Sequence, residues 1–438
     1  MTLSNRGISI LKDKLISRIV ANAGVILSGN TAASALGFIS FAIMANSLGP
    51  ESLAYFALAQ AYALIVNDLF NVQTWESLIK FGTQKNGENV LARTIKTNLF
   101  IDVASALIAF SVAYLFAQQI GVILGWDQEL IALATLYSLV IPFTLTTFTI
   151  GIPRLFNKFV FIAKLQFVAA LVKLTLVIYL SSNNGDAKSF TAIYVASEIF
   201  IYLSLTIYSL MLIRRKGVLN WKETKMFLNR DQFKFLWWTN LRTIVRIPVR
   251  QLDLLIINQI MSMETVGIYK VYKEVVGIIS RLGEPINQAV YPEYAKLLGH
   301  HKTDDTMRVT RSLMLILFAL ATLTMAGFFI VAEPIMVTFF GPEYLDLMSV
   351  FYALVILYCI NLFLTPINSL FIAAGFAKYS FYIVLGNNIL YLAVALTGGT
   401  YFGIYGIVAA FAAQMVFNQG LKLIVLRKYS GDWSTKIR

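Results

Sequence analysis

The chain has 438 residues, of which 58% are hydrophobic and only 13% charged, and its formal net charge is +13. A mean hydropathy of +0.70 excludes a soluble globular protein and makes lipid the solvent for most of the chain. The positive balance does not point to nucleic acid either, because the cations sit in particular loops between long apolar runs rather than in one patch.

Runs such as 101–116 and 351–364 are apolar on every side, whereas the strands of a membrane barrel would alternate apolar and polar residues. The spanning element is therefore a helix, which needs roughly 20 apolar residues to cross a bilayer. In chain order the spans fall near 20–46, 51–72, 97–120, 129–150, 162–182 and 189–213. A basic loop follows, and then 236–262, 264–290, 312–333, 347–371, 380–398 and 402–426. The first stretch continues too far for a removed leader and reads as a span. Pro248 predicts a kink in the seventh, and Gly398-Gly399 predicts the turn before the twelfth. Cys359 is a small hydrophobe within the tenth and has no second cysteine to pair with.

Loop charge sets the orientation. Segments on one side carry Arg18, Lys80, Arg93, Arg154, Lys164, Arg214 to Lys216, Lys225, Arg230, Lys302, Arg308, Lys378, Arg427 and others, whereas loops on the other side carry only Lys188. By the positive-inside rule the basic side is cytoplasmic, which places both termini there and requires an even number of spans.

The chain is also duplicated. Residues 48–56, Leu48-Gly-Pro-Glu-Ser-Leu-Ala-Tyr-Phe56, line up with residues 261–269, Met261-Ser-Met-Glu-Thr-Val-Gly-Ile-Tyr269, each at a tight turn between two spans. Arg93-Thr-Ile-Lys-Thr97 and Arg308-Val-Thr-Arg-Ser312 then open the third span of each half. The expected architecture is an all-α integral membrane protein of about twelve transmembrane helices in two parallel six-helix lobes around a central cavity. The lobes would be 1–213 and 236–438, joined by a basic linker at 214–235.

Further short patterns lie on this frame: Trp75-Glu-Ser-Leu-Ile-Lys-Phe-Gly82, Leu252-Asp-Leu-Leu-Ile-Ile-Asn258, Phe340-Gly-Pro-Glu-Tyr344 and Ala374-Gly-Phe-Ala-Lys378. With the Leu48-Gly-Pro-Glu51 and Val266-Gly-Ile-Tyr269 turns, they make the chain resemble the O-antigen and polysaccharide flippases of the multidrug/oligosaccharidyl-lipid/polysaccharide transporter superfamily. The resemblance implies a transporter rather than an enzyme. Its substrate would be an oligosaccharide repeat unit on undecaprenyl diphosphate, moved by alternating access from the cytoplasmic to the periplasmic leaflet of a bacterial inner membrane. It also implies a polymerase, with a chain-length regulator, as the partners that consume the product.

Buried charge suggests where such a substrate would be held, because ions inside a membrane normally face a cavity or a partner. Arg242, Arg246 and Arg250 recur every fourth residue on the seventh span, so they share a face, and Asp253 follows on the same side. Guanidinium groups bind phosphate oxygens as a fork, so Arg246 and Arg250 are candidates for the diphosphate. The competing reading is snorkelling toward water, which suits Arg242 at the membrane edge best. Lys270 and Lys273 on the eighth span and Lys173 on the fifth complete the candidate cations. Lys270 and Glu274, one turn apart, could equally form a structural pair. Asp253, Glu274 and Asp102 are the acids through which a proton or sodium gradient could be coupled. On the twelfth span Gln414, Asn418 and Lys422 could hydrogen-bond sugars or join neighbouring helices. Arg281 and Glu284 read as a pair at the end of the eighth span. No metal cluster, phosphate loop or catalytic triad is legible, and His300-His301 reads as a solvated loop. A cation-coupled drug antiporter of the same superfamily is the alternative function. Residues 20–50 hold no acid, and the cations of spans seven and eight suit an anion better.

Overall fold

The computed structural model describes residues 14–82, 88–218, 220, 223–226 and 228–428, and every regular element among them is a helix. The chain begins as helix α1, Lys14–Phe70, but Gly49 (φ 70°, ψ 170°) leaves the helical region, so α1 is two arms meeting at a corner. Gly49 has no Cβ to oppose that backbone, and Pro50 restarts the helix at a position where its missing N–H costs nothing.

After the break at Asn71–Gln73 come α2 (Thr74–Gly82), α3 (Glu88–Leu115), α4 (Ala117–Ile123) and α5 (Gln128–Ser138). A tight turn at Ile141–Phe143 and a wide helical turn at Thr147–Gly151 lead into α6 (Ile152–Leu155), so the fourth span is broken by about 60°. Two long unbroken helices follow, α7 (Phe159–Ser182) and α8 (Ala187–Arg215). The seventh span is broken as Pro248 predicts, into α9 (Arg230–Ile244), a wide turn at Pro248–Leu252 and α10 (Asp253–Ile260). The remainder is α11 (Met263–Gly299), α12 (Thr303–Phe339), α13 (Met348–Ala373), α14 (Ala377–Phe402) and α15 (Ile404–Lys428).

Among the described residues eight helices are long and apolar enough to cross a membrane, and the bent pair around Thr147 makes a ninth. The two arms of α1 count separately; α9 and α10 are each shorter than a span, and α11 carries charges along its length. With these the fold is consistent with about twelve passes. Lipid-facing surfaces are plain on α7 and α12, where Val160, Tyr179, Leu323 and Ile330 are all more than three-fifths exposed. Asp186 caps α8 outside the membrane, where hydrogen bonds from Ser189 hold its carboxyl below the usual range.

The chain divides into two compact units, residues 32–267 and residues 268–438 with 1–31. The first packs Leu78, Ile95, Phe148, Ile152, Leu212 and Ile213 into a core beneath the broken fourth span. In the second, Ile16 and Ile19 of α1 pack with Val290, Tyr294, Leu313, Ile367 and Phe371. By contact the seventh span falls in the unit of residues 32–267. The reason is polar: Arg242 pairs with Glu76, Gln232 donates to Asn98 Oδ1 at 2.8 Å, and Trp126 Nε1 donates to Asn258 Oδ1 at 2.8 Å.

The turn expected at Gly398-Gly399 is not there. Helix α14 runs through both glycines to Phe402, and the chain reverses at Gly403, whose φ is 57°. The glycines serve close packing instead. A Cβ on Gly406 would lie 2.0 Å from the Gly398 carbonyl oxygen, so α14 and α15 touch backbone to backbone.

Candidate functional site

In the unit beginning at Ile268, α11 and α13 enclose a cavity of about 260 Å³ lined by Ser280, Arg281, Asn287, Tyr358, Asn361 and Asn368, with Gly283, Leu362 and Thr365. Gly283 thins α11 at that level: a Cβ there would meet Leu362 and the Thr365 hydroxyl at 3.2 Å. Ser369 donates to Asn287 Oδ1 at 2.7 Å, which fixes one wall. Lys422 of α15, 6% exposed, donates to Asn368 Oδ1 at 2.7 Å and so brings the twelfth span to the cavity. Among the described residues the lining offers a guanidinium, a phenol, two hydroxyls and three amides. Such a set can hold a polyhydroxylated ligand carrying an anion, because it supplies donors and acceptors for hydroxyls and one fixed positive charge.

The sequence candidates distribute around this cavity unevenly. Lys422 reaches it. Gln414 and Asn418 lie on the same face of α15 one turn apart, and the Asn418 carbonyl oxygen and both amide atoms of the adjacent Gln419 are buried without a hydrogen-bond partner. Lys270 is 8% exposed and donates to Glu274 at 2.9 Å, so the spacing rule for that pair is realised. Lys273 is half-buried on the same helix, and Arg281 is exposed at the cavity. Glu284, expected to pair with Arg281, has a side chain outside the described residues.

In the unit spanning residues 32–267, Arg246 is exposed at the break of the seventh span, and Arg250 lies in the wide turn with its side chain outside the described residues. Asp253 is 2% exposed, and its Oδ1 accepts from the Leu254 N–H at 2.9 Å. Lys173 sits over the Tyr194 ring at 4.4 Å. Tyr194 packs on Phe56, which also meets Tyr137, and Tyr137 accepts from Gln60 and donates to Glu198, both at 2.7 Å.

Asp102 is completely buried on α3. The Thr74 and Thr146 hydroxyls donate to its Oδ1, the latter at 3.2 Å, and the Thr147 N–H donates to its Oδ2 at 2.6 Å. Asn98, one turn earlier, donates to the Thr74 carbonyl at 3.0 Å and accepts from Gln232. Asn98 thus ties α2, α3 and α9 together through groups with no access to water. Replacing Asn98 by Ala takes a donor from the Thr74 carbonyl and leaves the Gln232 amide only the Ser77 hydroxyl at 3.2 Å; the expected loss is about 1–3 kcal/mol for a buried group left unmade, read as a lower thermal midpoint of the purified protein in detergent.

Sequence reasoning missed Arg281 as a cavity residue, together with Asn287, Asn361 and Asn368. Single asparagines within an apolar helix carry no periodic signal. A weak one existed: Tyr358, Asn361, Thr365 and Asn368 recur at three- and four-residue steps on one face of α13. Among the described residues no group of three or more His, Cys, Asp or Glu could hold a metal ion.

The fold, a multi-pass membrane protein whose described elements are all helices, is shared with solved MOP superfamily transporters. An inward-facing MATE family multidrug resistance transporter of that superfamily matches with a TM-score of 0.75 at 12% identity, covering 96% of this chain and 99% of that one. The lipid II flippase MurJ in an inward closed conformation matches with a TM-score of 0.67 at 15% identity, over 94% and 90%. The chain belongs to the polysaccharide biosynthesis protein family, whose model matches residues 19–298. Inner membrane protein YghQ of Escherichia coli (strain K12) is 20% identical over 352 residues, covering 76% of this chain and 96% of that protein. The two fold neighbours carry the names of a transporter and a flippase.

Proposed function

We propose that the protein is a flippase for undecaprenyl-diphosphate-linked oligosaccharide repeat units, O-antigen or another surface polysaccharide. It would move them from the cytoplasmic to the periplasmic leaflet of a bacterial inner membrane by alternating access, with both termini cytoplasmic. A polymerase, with its chain-length regulator, then consumes the product. The observation that carries this reading is the cavity of α11 and α13, where Arg281 stands among amides and hydroxyls with Lys422 bonded into the wall. An arginine and a lysine among amides and hydroxyls suit an anionic, sugar-bearing substrate better than the organic cation of a drug antiporter. Arg246, Arg250 and Lys273 are proposed as further contacts for the diphosphate, and Gln414 and Asn418 as contacts for sugars. Lys270 and Lys173, which lie against Glu274 and Tyr194, complete the proposed set of cations for the diphosphate.

The test is Arg281→Ala in a strain whose surface glycan depends on this protein. Loss of hydrogen bonds to a charged group, about 1.5–3 kcal/mol, corresponds to a roughly tenfold to hundredfold weaker hold on the diphosphate. Glycan display should fall accordingly while the protein accumulates normally. Full display at normal protein levels overturns the assignment of Arg281.

A further inference from the structure

The cluster around Asp102 is not part of the cavity just described. It lies where two helices are interrupted: the end of the second span at Asn71–Gln73 and the fourth span between Thr144 and Thr147. Besides its bonds to the carboxylate, the Thr74 hydroxyl oxygen is 2.8 Å from both the Thr146 and the Thr147 hydroxyl oxygens. All four residues are at most 7% exposed. Asn71 closes the cluster: its Nδ2 donates to the Thr144 carbonyl and hydroxyl at 2.9 and 2.7 Å, and its buried Oδ1 has no hydrogen-bond partner.

No cation among the described residues pairs with Asp102, and the charged groups on the elements packed around it are engaged elsewhere. Glu76 pairs with Arg242, Lys80 lies over Phe235, Arg154 lies over Trp75, and Lys96 donates to the Thr224 carbonyl. Asp68 lies on the last turn of α1 before the Asn71 break, and Arg93 lines a separate cavity with Lys216 and Glu223.

We propose that Asp102 is a proton-binding site, ionised in one stage of the transport cycle and protonated in another, and that its ligands are the three threonine hydroxyls at the two helix breaks. A permanently ionised carboxylate buried without a counter-ion is costly. The surrounding hydroxyls are amphoteric, each able to donate or accept, so they serve both forms. With Asp102 ionised, Thr74 and Thr146 donate to it. When a proton from water bonds to Oδ1, the acid becomes neutral and donates to the Thr74 oxygen, and the Thr74 hydrogen turns toward Thr146 or Thr147. Release reverses these movements, and no other reactant is needed. The Thr147 N–H cannot turn in this way. Neutralising Oδ2 weakens its bond at the broken fourth span, and through Thr74 and Asn98 the same change reaches Gln232 at the start of the seventh. Proton binding thereby bears on two interrupted helices of one unit.

A metal cation fits less well. Oxygens held at about 2.3–2.6 Å from an ion of Ca2+ size stand farther from one another than the 2.8 Å between these hydroxyls. The use of this proton in coupling rests on the transporter reading above. The protonation itself does not, and it can be measured without any substrate.

The experiment is a pH titration of the purified full chain by infrared difference spectroscopy, comparing wild type with Asp102→Asn and Thr74→Val in potassium and in sodium buffers. The expected result is a carboxylic-acid C=O band that grows as pH falls, is missing from Asp102→Asn, is displaced in midpoint by Thr74→Val and is the same in both buffers. Coincident wild-type and Asp102→Asn spectra overturn the site, as does a midpoint that Thr74→Val leaves in place. Removal of the band by sodium at constant pH also overturns it, in favour of a sodium ion. Should Asp102→Asn fail to accumulate, the wild-type and Thr74→Val titrations decide alone. Glycan loss in Arg281→Ala is independent of all these outcomes.

Discussion

Gly267→Ala should leave almost no folded protein. Gly267 stands one turn into α11, and a Cβ there would lie 1.8 Å from the Pro50 carbonyl oxygen, 2.6 Å from its carbon and 2.9 Å from its Cα. All three are backbone atoms just beyond the Gly49 corner, so no rotamer change can make room. The two turns that the duplication aligns, 48–56 and 261–269, therefore meet at a point where only hydrogen fits. The loss belongs with the exceptional substitutions above about 4–5 kcal/mol, and the measurement is the yield of monodisperse protein in detergent with its thermal midpoint. Gly277, ten residues on in the same helix, has nothing within 4 Å of the equivalent position. Gly277→Ala should be neutral or more stable by about 0.5–1 kcal/mol, because alanine gives up less backbone freedom on folding. Equal midpoints for Gly267→Ala and wild type would mean that the Pro50 contact is not made.

Lys270→Met is expected to be the next most damaging single change, through the partner it leaves behind. Removing one member of a buried ion pair costs about 3–5 kcal/mol because the other charge remains uncompensated. The lower end applies here, since the Glu274 side chain keeps 36% exposure while Lys270 keeps 10%. The double variant Lys270→Met, Glu274→Gln should recover most of that loss, because a neutral amide is left in place of a stranded charge. Denaturation midpoints of the wild type, both single variants and the double variant form the cycle that checks this. A double variant no better than Lys270→Met would show that Lys270 acts through packing or another partner. Loss of glycan display in a double variant of full stability would give the pair a part in transport.

The number and order of spans were legible because hydropathy and loop charge act over windows of about 20 residues, and no later contact can hide them. The corner at Gly49, the break at Pro248 and the Lys270–Glu274 pair were legible for a different reason: each is local, within one turn of helix. What was lost is non-local. Thr74 stands 28 residues before Asp102 and Thr147 stands 45 after it, and nothing in their spacing says that two helix breaks would bring them together. The Gly398-Gly399 pair misled for a related reason. A glycine pair permits a turn or a close helix contact equally well, and Gly406, which decides between them, lies in the next helix. Arg281 has only local neighbours in the sequence, whereas the fold sets it in one cavity with Tyr358, Asn361 and Asn368 of α13.

Helices α11 and α12 have 37 residues each, hence a length of about 55 Å at the usual rise, against a hydrocarbon thickness of about 30 Å. Tilt alone cannot take up such a surplus, so one end of each must stand clear of the lipid. The excess of α12 is its opening turns, where Asp304, Asp305, Arg308 and Arg311 are concentrated. The charged opening of α12 and the end of α11 do not stand alone there: Tyr294, Leu298 and Val309 are buried with Phe371, Phe376 and Leu426. The surplus of these two helices is thus braced by the ends of α13, α14 and α15, so a change at that end is felt by all five helices together.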